Sequence, residues 1–488
     1  MTINTDIALL KHRRTKIVAT LGPASASEDT IAALIAAGVN VFRLNMSHGT
    51  HHDHHRTYDW VRAAARDAQT PIAVLADLSG PKIRTGTFED PTGIELSKGA
   101  HVTVTVRDVQ GRPGLIPSQY EALANDVKAG DRILLADGVM ELLVLAVDGT
   151  EVECQVIQGG RLTDRKGINL PGVDVSAPCL TEKDIVDATF ALELGVDFLA
   201  LSFVRRGSDI ESLRALIDEH AHPDARPAII AKIERPEALT HIKEIYESTD
   251  AIMVARGDLG VELPPEQVPA IQLQLINGAH AHNKPVIVAT QMLESMIDNS
   301  RPTRAEVADV SQAVAHGADA VMLSAETASG QYPIEAVQMM DRIGRQTEAS
   351  MWHQGAFGSM LRAEDLVPPI PFGDAVARAT ALISRDLRVK GIMVLSQGGM
   401  TAATMSSGRP AAPVIAISSI ERTYQRMSLM WGIIPVLVDD SQRATSTVLA
   451  KRLSQELGLT EPGDFILMVQ GFHADPSLSA PSMTLLKV

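Results

Sequence analysis

A lysine and two carboxylates stand where two apolar runs of strand length end. The run IIAKIERPE stops at Lys232 and Glu234, and the run AIMVARGDLG stops at Asp258. Residues two apart on an extended strand point to the same side, so Lys232 and Glu234 share one face. This group of charges suits a divalent metal that bridges to an anionic substrate. A structural ion pair explains the same residues equally well, because ion-pair networks also gather charges at strand ends.

The elements that position these charges follow one repeated pattern. Eight apolar runs end in polar residues, and they begin at Lys16, Val39, Ile72, Asp197, Ala228, Ala251, Pro285 and Ala320. Nearly continuous Val, Ile and Ala is typical of parallel strands that are buried on both faces. Helical patterns with Ser or Thr caps, or with an early Pro, lie between most of the runs. The pattern predicts an α/β fold, a (β/α)8 TIM barrel whose active site lies at the C-terminal ends of the strands.

Two further segments depart from this rhythm. About a hundred residues after Gly80 form short alternating runs such as HVTVTV and EVECQVI, which predict an inserted antiparallel β lid domain. After the eighth unit, residues 351–371 are rich in Gly and Pro and are typical of a linker, and β and α patterns then alternate to the C-terminus. We expect a barrel over 1–80 and 178–345, a β-barrel lid over 81–177 and an α/β domain over 346–488.

Composition narrows the class of protein. The chain has 488 residues, of which 45% are hydrophobic, so three domains of ordinary size can each bury a core. The apolar runs are shorter than a membrane span, and the N-terminus does not resemble a secretory signal. Two cysteines, Cys154 and Cys179, cannot form a disulfide framework, so a cytoplasmic location is expected. The net charge of −15 argues against a nucleic-acid partner.

Eight motifs, taken in order, resemble the pyruvate kinase family. They are RRTKIVATLGPAS, FRLNMSHG, DLSGPKIRTG, KGINLPG, AKIERPE, MVARGDLGVE, VATQMLESM and ADAVMLSAETASG. The resemblance is strong from about residue 13 to residue 345 and weaker beyond. It implies transfer of the phosphoryl group of phosphoenolpyruvate to ADP, which gives pyruvate and ATP in the last step of glycolysis. It also implies a lid, a C-terminal regulatory domain and a homotetramer.

The resemblance assigns roles to the charges at the strand ends. Glu234 and Asp258 match the family's Mg2+ ligands, and Mn2+ is expected to substitute because it also binds carboxylate oxygens. Lys232 matches the group that stabilises the transferring phosphoryl group. Arg43 matches a guanidinium that grips phosphate. In an empty enzyme, an ion pair between Lys232 and Glu234 is compatible with these roles.

Further residues match the carbon end of the substrate and the nucleotide. Thr290 matches the hydroxyl beside the carbon that must be protonated, and whether it donates the proton or orders a water stays open. Gly257 and Asp258 offer backbone N–H groups to the substrate carboxylate at a short helix start. His48, Arg84 and Lys166 match contacts with ADP or ATP. Without the resemblance, the last two would be interpreted as exposed basic residues of a β domain.

One departure from the family concerns a monovalent cation. Members that need K+ hold it with an Asn, a Ser, an Asp and a Thr, and this chain keeps Asn45, Ser47 and Asp77 but has Leu78 in place of the Thr. Where those members carry Glu, this chain has Lys82, whose ammonium can supply the missing positive charge. We expect that K+ is not required.

The C-terminal domain contains a glycine-rich turn, SQGGMTAATMSSGRP. The candidate effector loop comprises Ser396, Gly398, Gly399 and Thr401, and its backbone N–H groups suit a sugar-phosphate or nucleotide monophosphate. Relatives activated by fructose 1,6-bisphosphate are rich in hydroxyls there, whereas this chain has Gln397 and Met400. The tail QGFHADPSLSAPS also lacks the basic residues expected for a second phosphate. An ordinary strand-to-helix turn is an equally good interpretation.

Two other functions compete with that of a pyruvate kinase. A Mg2+-dependent lyase or mutase acting on phosphoenolpyruvate or pyruvate would not need the lid residues Arg84 and Lys166. A non-catalytic metabolite sensor would not need Lys232, Glu234 and Asp258, all of which are present. ADP-dependent formation of ATP distinguishes the three.

Overall fold

The chain begins with the first three strands of a barrel. A computed structural model describes residues 13–355, 357, 370–439, 446–472 and 480–488. Its first elements are β1 (Lys16–Leu21), α1 (Glu28–Ala37), β2 (Val41–Asn45), α2 (His51–Asp67) and β3 (Ala73–Asp77). Helix α1 starts where the Ser27 side chain accepts a hydrogen bond from the Thr30 N–H, and it stops at Gly38, whose φ is 112°. Local capping therefore sets the ends of the first barrel helix.

A β domain follows β3 and has its own core. Its elements are β4 (Ile94–Leu96), β5 (His101–Thr105), β6 (Leu115–Pro117), α3 (Leu123–Asp126), β7 (Arg132–Leu135), β8 (Met140–Asp148), β9 (Glu151–Gln158), β10 (Gly160–Leu162) and β11 (Ile168–Asn169). Six strands form a sheet in the order β11-β7-β8-β9-β5-β6, and β10 pairs with β4. These pairs are antiparallel, as expected, except for β5 with β6, which is parallel.

The chain then returns to complete the barrel. The elements are α4 (Glu182–Leu194), β12 (Phe198–Leu201), α5 (Gly207–His220), β13 (Ala228–Ile233), α6 (Pro236–Thr240), α7 (Ile242–Ser248), β14 (Ala251–Ala255), α8 (Arg256–Glu262), α9 (Val268–Ala281), β15 (Val286–Ala289), α10 (Arg304–Ala315), β16 (Ala320–Leu323), α11 (Ala325–Ala328) and α12 (Pro333–His353). Eight parallel strands close in the order β1-β16-β15-β14-β13-β12-β3-β2, which confirms the predicted TIM barrel. The helical pattern RPEALTHIKEIYES gives two helices, because the backbone leaves helical geometry at His241.

Strand alternation builds two apolar layers in the barrel. Val18, Leu75, Ile230 and Met253 pack together in the barrel interior. Their neighbours along the strands, such as Ile17, pack outward against the helices. Both faces of each strand are therefore buried, as the continuous apolar runs predict.

The C-terminal segment forms a separate α/β sheet. Its elements are α13 (Phe372–Asp386), β17 (Ile392–Leu395), α14 (Met400–Ser407), β18 (Val414–Ser418), α15 (Glu421–Arg426), β19 (Ile433–Leu437), α16 (Ser446–Glu456), β20 (Phe465–Gln470) and β21 (Ser482–Lys487). The order is β19-β18-β17-β20-β21, and β21 runs antiparallel to β20. This confirms the predicted α/β domain. Most of the predicted linker over 351–371 lies outside the described residues, and α12 continues past residue 345, so the domain boundaries stay a prediction.

The C-terminal domain is anchored to the base of the barrel, at the N-terminal ends of the strands. Arg409 is 1% exposed, and its Nη1 donates to Asp319 Oδ1 at 2.9 Å. The other oxygen of Asp319 accepts from the Val286 N–H at 2.9 Å. Although burial opposes ionisation, Arg409 and His280 hold the pKa of Asp319 well below its ordinary value. No helix among the described residues is long and apolar enough to cross a membrane.

We expect Asp319→Asn to lower the free energy of unfolding by about 3–5 kcal/mol, because Arg409 would lose the charge that compensates it in a buried site. The native carboxylate has a lowered pKa, so its contribution is present above about pH 4 and declines as the pH falls further. Urea unfolding at pH 7 and at lower pH measures both effects. Asp59→Asn, at a carboxylate whose side chain is 63% exposed, is the control and should change stability little. Equal effects of the two substitutions would contradict the anchor.

Candidate active site

Four charged side chains meet at the C-terminal ends of three barrel strands. Arg43 lies on β2, Asp77 ends β3, Lys232 lies on β13, and Glu234 follows it immediately. The pairing of β2 with β3 aligns Asn45 with Asp77, which brings these strand ends to one level. The spacing of two between Lys232 and Glu234 turns both side chains to the same face, as the sequence predicts.

Lys232 is the centre of this cluster. Its Nζ lies 2.8 Å from Glu234 Oε1 and 3.3 Å from Asp77 Oδ1, and it donates to Ser202 Oγ at 2.6 Å. The Lys232 side chain is 11% exposed, whereas those of Asp77 and Glu234 are 1% and 2% exposed. Burial works against the charge of Lys232, but Asp77 and Glu234 outweigh it and raise the pKa of Lys232 above its usual value. The ammonium is therefore fixed and fully charged at the barrel mouth.

Arg43 is fixed by the same aspartate. Its Nε donates to Asp77 Oδ2 at 2.6 Å, and its Nη1 donates to Thr20 Oγ1 at 3.1 Å. Burial tends to raise the pKa of Asp77, but Lys232 and Arg43 together lower it. Asp77 therefore stays ionised and positions two cations side by side, an arrangement suited to a phosphate group.

Glu234 and Asp258 are the carboxylates expected to hold a divalent cation. Glu234 Oε2 accepts a hydrogen bond from the Phe203 N–H at 2.7 Å, while the Asp258 carboxylate accepts none from the described residues. Burial and the negative charge of Glu234 raise the pKa of Asp258 to about 6, against the opposing effect of Lys232. A cation between the two carboxylates would relieve this repulsion.

The donor set fits Mg2+ rather than a metal held entirely by protein. Among the described residues, no group of three or more His, Cys, Asp or Glu side chains is arranged to hold a metal. Mg2+ commonly binds through one or two carboxylates and completes its shell with water and substrate phosphate oxygens. Glu234 and Asp258 meet that requirement.

Thr290 lies at the end of β15 in a strained conformation. Its φ is 66°, which is rare for a β-branched residue and often marks a functional position. Its Oγ1 accepts from the Gly257 N–H at 2.7 Å and donates to the Ala289 carbonyl at 2.6 Å. The Gly257 N–H is thus engaged with Thr290, and a substrate carboxylate that used this N–H would have to share or displace that bond.

A cavity of about 330 Å3 separates the β domain from the barrel mouth. Its lining includes Lys82, Arg84, Lys166, Asp258 and Arg235. It therefore places the basic groups from the β domain above Asp258, where a polyphosphate would reach both.

His48 lies exposed on the loop after β2, close to this basic cluster. Burial, and then the positive charges of Lys82, Arg84 and Arg43, lower the pKa of His48. The imidazole is therefore neutral at pH 7 and can exchange hydrogen bonds with a nucleotide.

Two residues of the site, Ser202 and Arg235, are not predicted from the sequence. Ser202 directly follows β12, within the run DFLALSFVRR, and hydrogen-bonds Lys232; its position at a strand end is the signal that the sequence offers. Arg235 is 4% exposed and lines the cavity, yet its Nε and Nη1 have no hydrogen-bond partner among the described residues. Arg235 directly follows Glu234 in the motif AKIERPE, and this position beside a candidate metal ligand is the sequence feature that could have indicated it.

Comparisons with known proteins agree with this geometry. A family model described as the pyruvate kinase barrel domain matches residues 12–337, and one described as the pyruvate kinase alpha/beta domain matches residues 374–483. This chain belongs to the pyruvate kinase family.

Individual pyruvate kinases are similar along nearly the whole chain. The enzyme of Staphylococcus saprophyticus subsp. saprophyticus is 44% identical over 463 residues, which cover 94% of this chain and 78% of that one. The pyruvate kinase of Staphylococcus aureus is 43% identical with the same coverage. The crystal structure of a pyruvate kinase from Cryptosporidium parvum superposes with a TM-score of 0.91 at 34% identity and covers 98% of both chains. The protein is therefore an enzyme, a phosphotransferase.

Lys82 contacts the loop that follows β2. Lys82 Nζ donates to Ser47 Oγ at 2.7 Å, and the Ser47 N–H donates to Asn45 Oδ1 at 3.1 Å. Burial, and then repulsion from Arg84 and Lys232, lower the pKa of Lys82, while Asp77 and Asp258 oppose this shift. The ammonium thus reaches the residues expected to hold a monovalent cation.

Leu78 contributes to this pyruvate kinase site in a different way from that expected. Its side chain is 1% exposed and packs in the apolar layer between the strands and the helices. Its carbonyl, rather than its side chain, points to the polar region, where it accepts from Ser202 Oγ at 2.7 Å. Of Leu78 and Lys82, only Lys82 therefore brings a charge to this polar region.

The glycine-rich turn lies far from these groups, between β17 and α14. Gly399 has a φ of 86°, and Ser396 Oγ accepts from the Ala402 N–H at 3.3 Å. Thr423 Oγ1 donates to the Gln397 carbonyl at 2.6 Å, which fixes the turn against α15. The turn thus has a defined shape at the start of a helix.

We expect Glu234→Gln and Asp258→Asn each to weaken Mn2+ binding about tenfold or more, because hard cations prefer charged oxygen ligands. Electron paramagnetic resonance of free Mn2+, recorded without substrates, measures this binding independently of turnover. Glu266→Gln, at an exposed carboxylate just after α8, serves as the control. Mn2+ titrations that match the wild type in both site variants would show that the metal is held elsewhere.

Proposed function

We propose that this enzyme transfers the phosphoryl group of phosphoenolpyruvate to ADP, with Mg2+ held by Glu234 and Asp258, and without a requirement for K+. Mn2+ is expected to replace Mg2+. The observation that carries the proposal is the buried cluster in which Lys232 lies 2.8 Å from Glu234 and 3.3 Å from Asp77, beside Asp258 at the barrel mouth.

Arg43 and Lys232 act on the phosphate of phosphoenolpyruvate. The bond between phosphorus and the enol oxygen breaks, and a β-phosphate oxygen of ADP forms the new bond to phosphorus. Because the transferring group carries spread negative charge, two cations held by Asp77 lower the barrier without moving. A bound Mg2+ supplies further neutralisation of phosphate charge.

The enolate left after transfer takes a proton at carbon and becomes pyruvate. Thr290 is the polar group proposed to lie beside this carbon, either as the donor or as the residue that orders a water. Its Oγ1 already donates to the Ala289 carbonyl at 2.6 Å, so it must turn to serve a substrate. Gly257 and Asp258 are proposed to receive the substrate carboxylate through their backbone N–H groups.

The nucleotide is proposed to bind under the β domain. Arg84 and Lys166 line the same cavity as Asp258, and the positive charges of Lys82 and Arg84 also act on His48. ADP binding there would bring the β domain onto the barrel mouth and exclude water from the transfer. A lyase or a mutase gains nothing from this arrangement.

Lys82 is proposed to replace the monovalent cation. Its hydrogen bond to Ser47 at 2.7 Å places an ammonium beside Asn45 and Asp77, where a bound ion would otherwise balance charge. A resident ammonium avoids binding a weakly held ion at each turnover.

The remaining proposals concern assembly and control. We propose a homotetramer in the cytoplasm, with a sugar-phosphate or nucleotide effector at the loop of Ser396, Gly398, Gly399 and Thr401. Activation by fructose 1,6-bisphosphate is expected to be weak, because the loop offers few hydroxyls for a second phosphate. The tail predicted to lack basic groups lies partly outside the described residues, at 473–479.

A coupled assay of pyruvate formation with and without ADP and Mg2+ tests the function itself. Within it, we expect Lys232→Met to lower turnover about 10²–10³-fold, because a preorganised charge at the transferring group would be lost. Lys390→Met, at an exposed lysine of the C-terminal domain, is the control. Circular dichroism and Mn2+ titration check that the site variant remains folded. Near wild-type turnover in Lys232→Met would remove this residue from the mechanism.

We expect full turnover of the wild type in a tetramethylammonium buffer and no gain from KCl at constant ionic strength. Lys82→Glu should lower activity sharply in that buffer, and KCl should restore part of it, because the variant again needs a cation beside Asp77. Lys98→Glu, at an exposed lysine of the β domain, controls for the change in net charge. A many-fold dependence of the wild type on K+ would mean that Lys82 does not replace the ion.

A further inference from the structure

Arg235 is a barrel cation that faces the cavity beneath the β domain. Among the described residues, the lining contains four cations from the segment after β3, namely Lys82, Arg84, Arg165 and Lys166, and Arg235 is the fifth. Arg235 belongs instead to the turn between β13 and α6, where it directly follows Glu234. A polyphosphate in this cavity would therefore lie between cations of the barrel and of the β domain.

The guanidinium of Arg235 has unused hydrogen-bond donors. The residue is 4% exposed, and its Nε and Nη1 are shielded from solvent and make no hydrogen bond with the described residues. Donors that are removed from water and left unpaired cost stability, more so when the group is charged. An anion that accepted from these donors would recover that cost.

An aromatic ring supports the guanidinium at the edge of the cavity. The Arg235 guanidinium carbon lies 5.5 Å from the centre of the Phe203 ring, and Phe203 also lines the cavity. The ring attracts the cation through its face without using any N–H donor. The Phe203 N–H donates to Glu234 Oε2 at 2.7 Å, which fixes the support beside the candidate metal ligand. Arg235 is thus held in place while its donors stay available.

Nearby carboxylates do not pair with Arg235. Both carboxylate oxygens of Glu237, and Oε2 of Glu262, are shielded from solvent and accept no hydrogen bond from the described residues. Burial raises the pKa of Glu262 to about 7, and the charge of Arg235 only partly opposes this shift. The two carboxylates therefore lie close enough to balance the charge of Arg235 without occupying its donors.

The position of Arg235 favours the nucleotide over the other substrate. Arg43 and Lys232, proposed above to act on phosphoenolpyruvate, do not line this cavity. Arg84 and Lys166, proposed to contact the nucleotide, do line it. A planar guanidinium can donate two parallel hydrogen bonds to one phosphate, which a lysine cannot do.

We propose that Arg235 binds the phosphates of ADP from the barrel side, opposite Arg84 and Lys166 of the β domain. This assignment rests on the proposed transfer to ADP and adds a residue to it. Binding of ADP would replace the missing hydrogen-bond partners of Arg235. It would also join the two domains through one ligand, so that the barrel contributes directly to nucleotide affinity.

Steady-state kinetics of pyruvate formation separates the two substrates. We expect Arg235→Met to raise the KM for ADP about tenfold or more, because charge-assisted hydrogen bonds to phosphate would be lost. The KM for phosphoenolpyruvate should change less than about twofold. Arg235→Lys should recover part of the ADP affinity, because it keeps the charge but not the fork of donors. Arg342→Met, at an exposed arginine on α12, is the control and should change neither KM.

Two further measurements exclude an indirect effect through folding or the metal. Thermal melting without ligand should show that Arg235→Met is as stable as the wild type, because the substitution removes unpaired buried donors. Electron paramagnetic resonance of Mn2+ without substrates should give the wild-type affinity, because Arg235 is not a metal ligand. Isothermal titration of ADP in the presence of Mg2+ should show the same loss of affinity as the kinetics.

Three outcomes would overturn the assignment to Arg235. They are wild-type ADP affinity in Arg235→Met, an equal rise of both KM values, and a loss of Mn2+ affinity as large as the loss of ADP affinity. The wild type is assayed in parallel. Its failure to form pyruvate from phosphoenolpyruvate and ADP would count against the proposed function and against this assignment with it. Normal wild-type turnover with an unchanged KM for ADP in the variant would count against Arg235 alone.

Discussion

The contact between the Lys232 ammonium and the carboxylates of Glu234 and Asp77 organises the mouth of the barrel. All three side chains are largely buried, so none could remain charged there without the others. The opposite charges within the cluster balance one another. Its side chains are therefore held in place before a substrate binds and are available to interact with it. Asp77 orients Arg43, and Glu234 faces Asp258. Removing one charge would leave its buried neighbours without compensation, and the site is best understood as one electrostatic unit.

The two ends of the barrel use charge differently. At the mouth, burial and repulsion from Glu234 together raise the pKa of Asp258 to about 6. At the base, Asp319 is fully satisfied by Arg409 and backbone donors, which lowers its pKa. The Asp319 contact at the base is therefore compensated without a ligand, whereas a cation would relieve the repulsion at the mouth. The candidate active site therefore lies at the end of the barrel where the charges are not balanced within the protein.

Much of this arrangement could be predicted from the sequence, for a local reason. Strand periodicity places Lys232 and Glu234 on one face, and barrel topology brings strand ends together. The remainder depends on contacts between segments distant in the chain. Ser202 as a partner of Lys232, the bond from the Gly257 N–H to Thr290, and the outward packing of Leu78 each require the closed barrel. The ion pair of Arg409 with Asp319 likewise requires two docked domains, and neither sequence segment shows it alone.

The anchor at the base also has a consequence for the order in which the chain folds. Strand β1 pairs with β16, and this pairing closes the ring between the first strand made and the last. Lys16 of β1 donates through its Nζ to the Ile433 carbonyl at 2.7 Å, and Asp319, just before β16, holds Arg409. The C-terminal domain thus contacts the chain at both β1 and the segment before β16, the two strands that close the barrel. During synthesis, β1 cannot complete its pairing until β16 has been made. The contacts from the C-terminal domain to this strand pair form only after a further hundred or so residues have left the ribosome. The C-terminal domain therefore stabilises the closure of the barrel from outside.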